Sequence, residues 1–562
     1  MAKGSDQVDG VIQSAPSADE GEAPSPLRNA EFRRIWLAST VSNIGGWMQD
    51  TAGIWLMTAI TTSPLPVALM QTAANLPVVL LGLLAGATAD IFDRRQLLLF
   101  WQIWMLVVVA ILSILGFANV ISPWILLGLT CLLNVGGAMN GAAWQSIVPE
   151  IVSRRDLPNA VSLNSAGFNL ARSVGPALGG FCVAIFHHAH IGAAYTFLIN
   201  AISFVGVISA LYEWKRSPIF KSSLPAERVY GSMRAGLHYA RHSAPLQVLL
   251  LRAFLFTFSV SAVWALLAIV AAQDLHRGAL GYGLLNASMG IGAVFGAVTL
   301  PSIRRKLGSN SIVLISSVVF VATLLVLAFV RSPWVLLPSL ILAGFAWTST
   351  MSTLNLAVQL SSPTWVQARA IGIYQTVFSA GLACGSVIWG ALAQHVSTSA
   401  SLAAAAACLL GTILLGRGLH LANASVLPSL SPLPSSDEPP LEPFGVGLDL
   451  SSGPVRLHID YDVLEENRDH FVEAIYEMKE IRLRNGAIRW GVFQDAADPS
   501  RLSETFIMES WLDYLRQQER LTAVDALLIK RIADLDSRRS SPPARATIYV
   551  KQRSVAPSKS TT

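Results

Sequence analysis

The chain has 562 residues, of which 52% are hydrophobic and only 13% charged, with a mean hydropathy of +0.50. Soluble domains carry about 25% charged residues, so this composition excludes an ordinary soluble enzyme and points to a polytopic membrane protein. The net charge of +5 does not imply a nucleic-acid partner, because the basic residues lie in loops between apolar runs, as the positive-inside rule requires.

Residues 1–27 contain no apolar signal core and read as a disordered tail rather than a cleaved leader. Twelve apolar segments of spanning length follow, with approximate limits 34–60, 67–89, 96–119, 122–148, 160–187, 192–213, 245–271, 280–301, 310–330, 334–359, 369–395 and 398–419. One set of loops carries Arg33, Arg34, Arg94, Arg95, Arg154, Arg155, Lys215, Arg216, Arg304, Arg305 and Arg369, whereas the other offers little beyond Arg277 and Arg331. That bias predicts cytoplasmic termini and a cytoplasmic loop at 214–244, in a cell (inner or plasma) membrane. The four cysteines all fall in apolar runs and show neither a disulfide framework nor metal-ligand spacing.

Sliding the chain by 210 positions lays "GLLAGATADIFDRRQL" from Gly82 over "GAVFGAVTLPSIRRKL" from Gly292. Gly86 then meets Gly296, Arg94 meets Arg304, Arg95 meets Arg305, Gly175 meets Gly385 and Gly180 meets Gly390. The offset joins span 2 to span 8 and span 5 to span 11, which predicts two parallel six-helix halves at 28–213 and 245–420.

The Pro/Ser-rich stretch 421–452 reads as a linker, and 453–552 as a soluble α+β domain, before a disordered tail at 553–562. "VRLHIDYDV" alternates as a half-buried strand, 465–484 reads as a helix, and "AIRWGVFQ" and "ETFIMESW" read as strands. Helices near 511–520 and 522–537 and a last strand "ATIYVKQ" complete a ferredoxin-like β-α-β-β-α-β order.

Three features carry mechanism. The first is "GATADIFDRR", in which Gly86 permits close helix approach and Asp90 stands at the end of span 2, within reach of the start of span 11 and Arg369. The second is "ARSVGPALGGF", a run that sets a proline, three glycines and an arginine inside an apolar helix. The third is intramembrane charge. Asp50 lies about 16 residues into span 1 and Arg172 about 12 into span 5, depths of roughly 24 and 18 Å at about 1.5 Å per residue. Opposite charges at similar depth predict a partnership that couples proton entry to substrate exit. Asn43, Gln49, Asn140, Trp264, Asn355 and Gln375 are candidates to line a cavity, although helix–helix hydrogen bonding is the commoner use of such residues.

Gly86, Asp90, Arg94 and Arg95 resemble the loop motif between spans 2 and 3 of the major facilitator superfamily. Ile91 and Asp93 depart from it, standing where the family has a basic residue and a glycine. Gly175, Pro176, Gly179 and Gly180 resemble the core of the antiporter motif on span 5 of exporters in that superfamily. The membrane region is most similar to the transmembrane secretion effector branch, which includes enterobactin-exporter-like proteins. That resemblance implies that the first motif gates the cytoplasmic side, and that the second packs span 5 against span 8, where Gly292 and Gly296 offer a small face. "SWLDYLRQQER" resembles the antibiotic-biosynthesis-monooxygenase-like fold, a dimeric α/β barrel. That implies self-association, with Tyr514 and Gln518 standing where relatives often have histidines.

The expected function is proton-driven export of a small amphipathic molecule, such as a siderophore or drug, by alternating access. The alternatives are an importer or facilitator on the same fold, or a membrane-tethered enzyme or sensor acting through the C-terminal domain. No nucleophile–base pair, metal cluster or phosphate-binding glycine loop is visible, so no catalytic residue, metal or cofactor is expected. The expected partners are the lipid bilayer, a small-molecule substrate and protons.

Overall fold

A computed structural model of the chain describes residues 26–152, 156–214, 229–275, 277–363, 365–415, 453–537 and 546–550. A bundle of long helices comes first: α1 (Ala30–Ile60), α2 (Pro64–Ile91), α3 (Arg94–Phe117), α4 (Pro123–Ile151), α5 (Leu157–Ile185) and α6 (Ala189–Glu213). A shorter helix, α7 (Val229–His242), leads into α8 (Ala244–Ile269), α9 (Ala279–Lys306), α10 (Ser309–Phe329), α11 (Pro333–Leu360), α12 (Gln367–His395) and α13 (Thr398–Leu415). Proline opens α2, α4, α8 and α11 within their first two positions, where its missing N–H costs nothing. Asn29, Asp93 and Ser122 cap α1, α3 and α4 with their side-chain oxygens.

Ten of the described helices are long and apolar enough to cross a membrane, which corrects the expected twelve. The apolar stretch of α13 is short among the described residues. The helix α1 is too polar, because Ser39, Thr40, Ser42, Asn43, Gln49 and Asp50 all line the cavity described below. Polarity that serves an internal cavity is invisible to a rule that scores every side chain as if it met lipid.

The first residues of the expected N-terminal tail that are described form a 3₁₀ turn, Pro26–Arg28, with Pro26 buried. Part of the expected loop at 214–244 is the helix α7, whose Tyr239 and Ala240 are buried against Leu246, Val366 and Ala370. The linker at 421–452, the tail at 553–562, Arg154, Arg155, Lys215 and Arg216 lie outside the described residues.

Within the bundle α1 packs on α5 and α6, α3 on α6, and α2 on α4; α9 packs on α11, α10 on α11 and α13, and α8 on α12. The halves meet chiefly through α2 against α12 and α5 against α9, two interfaces that the 210-residue offset exchanges. One end of the bundle, here the basic face, carries Arg94, Arg95, Arg304 and Arg305; the other end is the opposite face.

After the bundle come β1 (Val455–Asp462), α14 (Arg468–Arg484), β2 (Arg489–Gln494), β3 (Arg501–Met508), α15 (Trp511–Glu519), α16 (Ala523–Leu535) and β4 (Ala546–Val550). The strands form one antiparallel sheet in the order β2-β3-β1-β4, with Leu457 opposite Phe506 and Ile548, and Trp490 also opposite Phe506. The sheet is open, with β2 and β4 as its two edges. This corrects both the ferredoxin-like domain expected from the β-α-β-β-α-β order and the dimeric α/β barrel, since the sheet stays open and no strand among the described residues joins its edges. Alternation of apolar residues locates strands, but closure depends on tilt and stagger between them.

Inside this domain Arg482 meets the carboxylate of Glu504 through Nε at 3.0 Å and Nη2 at 3.1 Å. Trp490 Nε1 (2.9 Å) and Tyr461 OH (3.3 Å) also donate to Glu504, and the Arg482 guanidinium lies 4.4 Å from the centroid of Phe506. The pair is buried, and its cost is offset only because the remaining lone pairs are also met. Glu504 holds the Arg482 guanidinium charged against the opposing effect of burial.

The domain is seated on the bundle through α7 and the approach to α12. The helix α14 packs against α7, Arg234 pairs with Glu509 at 2.5 Å, and Arg520 lies 4.4 Å from the centroid of Trp365. Trp365 in turn meets Tyr239 edge-on at 6.0 Å, and the Tyr239 hydroxyl donates to Ser361 O at 2.7 Å.

Candidate functional site

A cavity of about 980 Å³ runs through the first half of the bundle between α1, α3, α4, α5 and α6. Its wall is amide-rich: Asn43, Gln49, Gln102, Asn140, Asn164 and Asn200 all line it. Trp47, Trp144 and Phe168 supply aromatic surface, and Trp47 meets Phe168 edge-on at 6.2 Å. The lining extends from Asp50 in the middle of α1 to Val148 and Leu157 at the basic-face ends of α4 and α5. A wall that alternates amides with aromatic and aliphatic surface suits an amphipathic small molecule.

The opposite face is closed. Small residues bring the backbones of α5 and α9 together there: a Cβ on Gly180 would lie 2.6 Å from Ala279 O, and one on Gly283 would lie 2.7 Å from Pro176 O. Ser63 Oγ donates to Gln394 at 2.9 Å, tying the start of α2 to the end of α12. Gly175 and Gly179 face elsewhere, against Trp47 and Met48 of α1. The "GPALGG" run therefore packs α5 on two neighbours at once. Its partners on α9 are Ala279 and Gly283, with Gly290 against Arg172 and Ser173 just before the run, and not Gly292 and Gly296, which face Ile341, Phe345 and Thr348 of α11. A small-xxx-small face reveals close packing but not the identity of the packed partner.

The structure does not join Asp50 to Arg172: no hydrogen bond or ion pair links them among the described residues. Asp50 lines the large cavity and also a smaller one between the halves, with Trp264, Tyr282 and Asn286 of the second half. Arg172 instead lies between two tryptophans, 5.9 Å from the ring centroid of Trp47 and 6.0 Å from that of Trp347. Trp347 belongs to an aromatic cluster with Trp264 (4.4 Å), Phe256 and Phe378.

The basic pair of the loop motif holds the first half together. Arg94 pairs with Glu150 at 2.7 Å, joining α3 to α4. Arg95 Nε donates to Leu211 O at 2.9 Å and its Nη2 to Tyr212 O at 2.5 Å, capping the end of α6. The side chain of Asp90 and the surroundings of Gly86 lie outside the described residues. Arg369 lies beside α7, where a Cβ on Gly236 would come within 3.0 Å of its Cβ. Arg305 is exposed, and Arg304 faces a further cavity between the halves.

Of the cavity candidates, Asn43, Gln49 and Asn140 line the large cavity and Trp264 the smaller one. Gln49 accepts from Asn200 Nδ2 at 2.5 Å, and Asn140 from Gln102 Nε2 at 3.4 Å. Asn355 and Gln375 line neither: Asn355 accepts from Gln359 one turn on, and Gln375 is exposed. Trp347, Tyr282, Asn200 and Gln102 are site residues that sequence reasoning missed. An amide set among apolar residues, Gln102 within α3 and Asn200 within α6, is the available signal.

Sequence comparison places this geometry. The profile of the family described as "Transmembrane secretion effector" matches residues 22–554. The chain belongs to the transmembrane secretion effector family. The match continues through the C-terminal sheet, so that region is part of the family's own extent and not evidence of a monooxygenase-like barrel. This transmembrane secretion effector is 24% identical over 380 residues to "Multidrug efflux pump Tap" of Mycolicibacterium fortuitum, covering 65% of this chain and 90% of that protein. It is also 24% identical to "Enterobactin exporter EntS" of Citrobacter koseri, over 73% of this chain and 96% of that one. Among solved structures, the nucleoside transporter NupG matches with a TM-score of 0.55 at 13% identity, covering 69% of this chain and 98% of that one. A bacterial homologue of the iron transporter ferroportin, in its inward-facing state, matches with a TM-score of 0.53 at 17% identity, covering 70% and 98%. These structural likenesses show the major facilitator fold. The protein is a multi-pass membrane protein and a secondary transporter of the efflux type, not an enzyme.

Proposed function

We propose that this secretion effector exports a small amphipathic molecule, of the siderophore or drug class, in exchange for protons, with Asp50 as the coupling group. The observation that carries the reading is the position of Asp50. It is an intramembrane carboxylate without an ion-pair partner among the described residues, and it lines both the large cavity and the smaller cavity between the halves. An ionisable group so placed can hold a proton in one conformation and lose it in the other. Pairing of Asp50 with Arg172 belongs, in this reading, to the alternate conformation. The names of the similar proteins, a multidrug efflux pump and an enterobactin exporter, support the substrate class.

The basic loops support cytoplasmic termini, so the conformation described is the cytoplasm-open one. Asp90 and Arg369 are proposed to gate that side when it closes, with Arg94 and Arg95 setting the frame. Self-association through the C-terminal domain is part of the same reading, supported by the two sheet edges β2 and β4; light scattering of the purified protein tests it.

The test is uptake into inverted vesicles of a siderophore and drug panel, with and without an imposed proton gradient. Gradient-driven uptake that disappears in Asp50→Asn, with insertion intact, is expected. Gradient dependence that survives Asp50→Asn overturns the role of Asp50, and uptake of no compound overturns export.

A further inference from the structure

On the basic-face side of the Trp47–Arg172–Trp347 stack lies a cavity of about 380 Å³ between α5, α9 and α11. Two arginines line it, Arg172 from the first half and Arg304 from the second, together with Asn169, Thr348, Ser352 and Trp347. Among the described residues no acidic side chain lines it. Neither arginine has an ion-pair partner among the described residues. Arg304 Nε is buried with no hydrogen-bond acceptor, and its Nη2 makes only a long contact, 3.4 Å, to Thr353 Oγ1.

A guanidinium donor removed from water without an acceptor is costly, and two like charges facing one cavity add repulsion. Both costs disappear when an oxyanion enters, because a carboxylate accepts charge-assisted hydrogen bonds from both guanidinia. The Trp347 ring and Met351 would flank the rest of such a molecule with apolar surface.

We infer that this cavity is an anion-binding subsite, in which Arg172 and Arg304 together clamp a carboxylate or comparable oxyanion group of the transported molecule. The inference rests on the exporter reading and deepens it: the substrate is an organic anion with an aromatic or apolar body. Asp50 does not line this cavity, so recognition of the anion and binding of the proton occupy different places. Because each half contributes one arginine, the clamp exists only in a conformation that holds the basic-face ends of α5 and α9 at this separation. Rocking the halves opens or crushes it, which ties release of the anion to the conformational change.

The test is equilibrium dialysis of the detergent-solubilised full chain against 2-naphthoate and its neutral isostere 2-naphthamide, with empty micelles as reference. The acid is expected to bind about tenfold or more tightly than the amide. Arg172→Gln and Arg304→Gln should each bring the acid down to the affinity of the amide, whereas Arg304→Lys should keep most of the preference. Monodisperse elution and an unchanged melting temperature guard against misfolding, and Arg304→Lys serves if a glutamine variant fails to fold. Equal affinity for acid and amide, no binding of either, or an unchanged preference in Arg304→Gln each overturn the clamp. Displacement of 2-naphthoate by added phosphatidylglycerol makes this a lipid-headgroup pocket and overturns the substrate assignment. Failure of export with acid discrimination intact counts against the exporter reading and leaves the clamp standing.

Discussion

The guanidinium of Arg172 on α5 lies 6.0 Å from the ring centroid of Trp347 on α11, so one cation–π contact crosses the seam between the two halves. Such contacts are worth about 0.5–2 kcal/mol, more when desolvated. Trp347→Ala is therefore expected to raise the KM for an exported compound roughly tenfold. Trp347→Tyr should keep most of the wild-type value. Transport kinetics in inverted vesicles, with membrane protein levels matched, check both.

The contact of Gly180 with Gly283 allows a different expectation. A valine at 180 would drive its side chain into Ala279 O and the Gly283 backbone and separate α5 from α9 on the opposite face. Gly180→Val should shift the population away from the conformation that is open at the basic face. Labelling of a cysteine placed at Val148, in the cavity wall, should slow several-fold, and an unchanged labelling rate would count against this packing.

Arg94 and Glu150 predict a stability change without a change in specificity. The Glu150 side chain is only 4% exposed, so Arg94→Ala leaves a buried carboxylate without this cation. The expected loss is about 3 kcal/mol, within the usual range for breaking a buried pair. Glu150→Gln, which removes the charge and keeps an acceptor, should cost clearly less. Thermal melting of the solubilised protein separates the two.

His238 on α7 predicts a pH dependence for the seating of the C-terminal domain. Burial pushes its imidazole below the usual 6.5, and the nearby charges of His242, Arg234 and Arg241 push the same way, against a hydrogen bond with the Leu483 backbone. Arg484, near Tyr239, adds positive charge from the domain side; Asp525 and Glu509 add negative charge there. A group whose pKa is lowered in the folded state stabilises that state fully above its ordinary pKa and loses the contribution as pH falls through the lowered one. Hydrogen exchange in α7 and α14 should therefore rise between about pH 7 and pH 5. His238→Gln should flatten that rise, and an unchanged slope would remove His238 as its cause.

The limits of α2 to α6 and α8 to α12 were legible in the sequence to within a few residues, because a run of apolar side chains bounded by proline, serine or arginine is a one-dimensional signal. The Asp50–Arg172 partnership was not, since depth along two helices says nothing about which way each side chain turns about its axis. For the same reason the spacing of Gly292 and Gly296 does not say that they pack on α11 rather than α5. The polar face of α1 hid in plain composition: its serines and amides face a cavity rather than lipid, and only packing reveals which. Trp347 and Arg304 gain meaning only when α5, α9 and α11 are brought together, a juxtaposition that no local pattern encodes.

The contacts named above for the C-terminal domain are made by α14, Glu509 and Arg520 to α7 and the approach to α12, both outside the first half. When the halves rock, the domain is therefore expected to travel with the second half, so that a small tilt becomes a larger displacement at its far edge. A spin label or fluorophore at the exposed Phe493, paired with one at Glu213 on the first half, would turn the domain into a goniometer for the transport cycle.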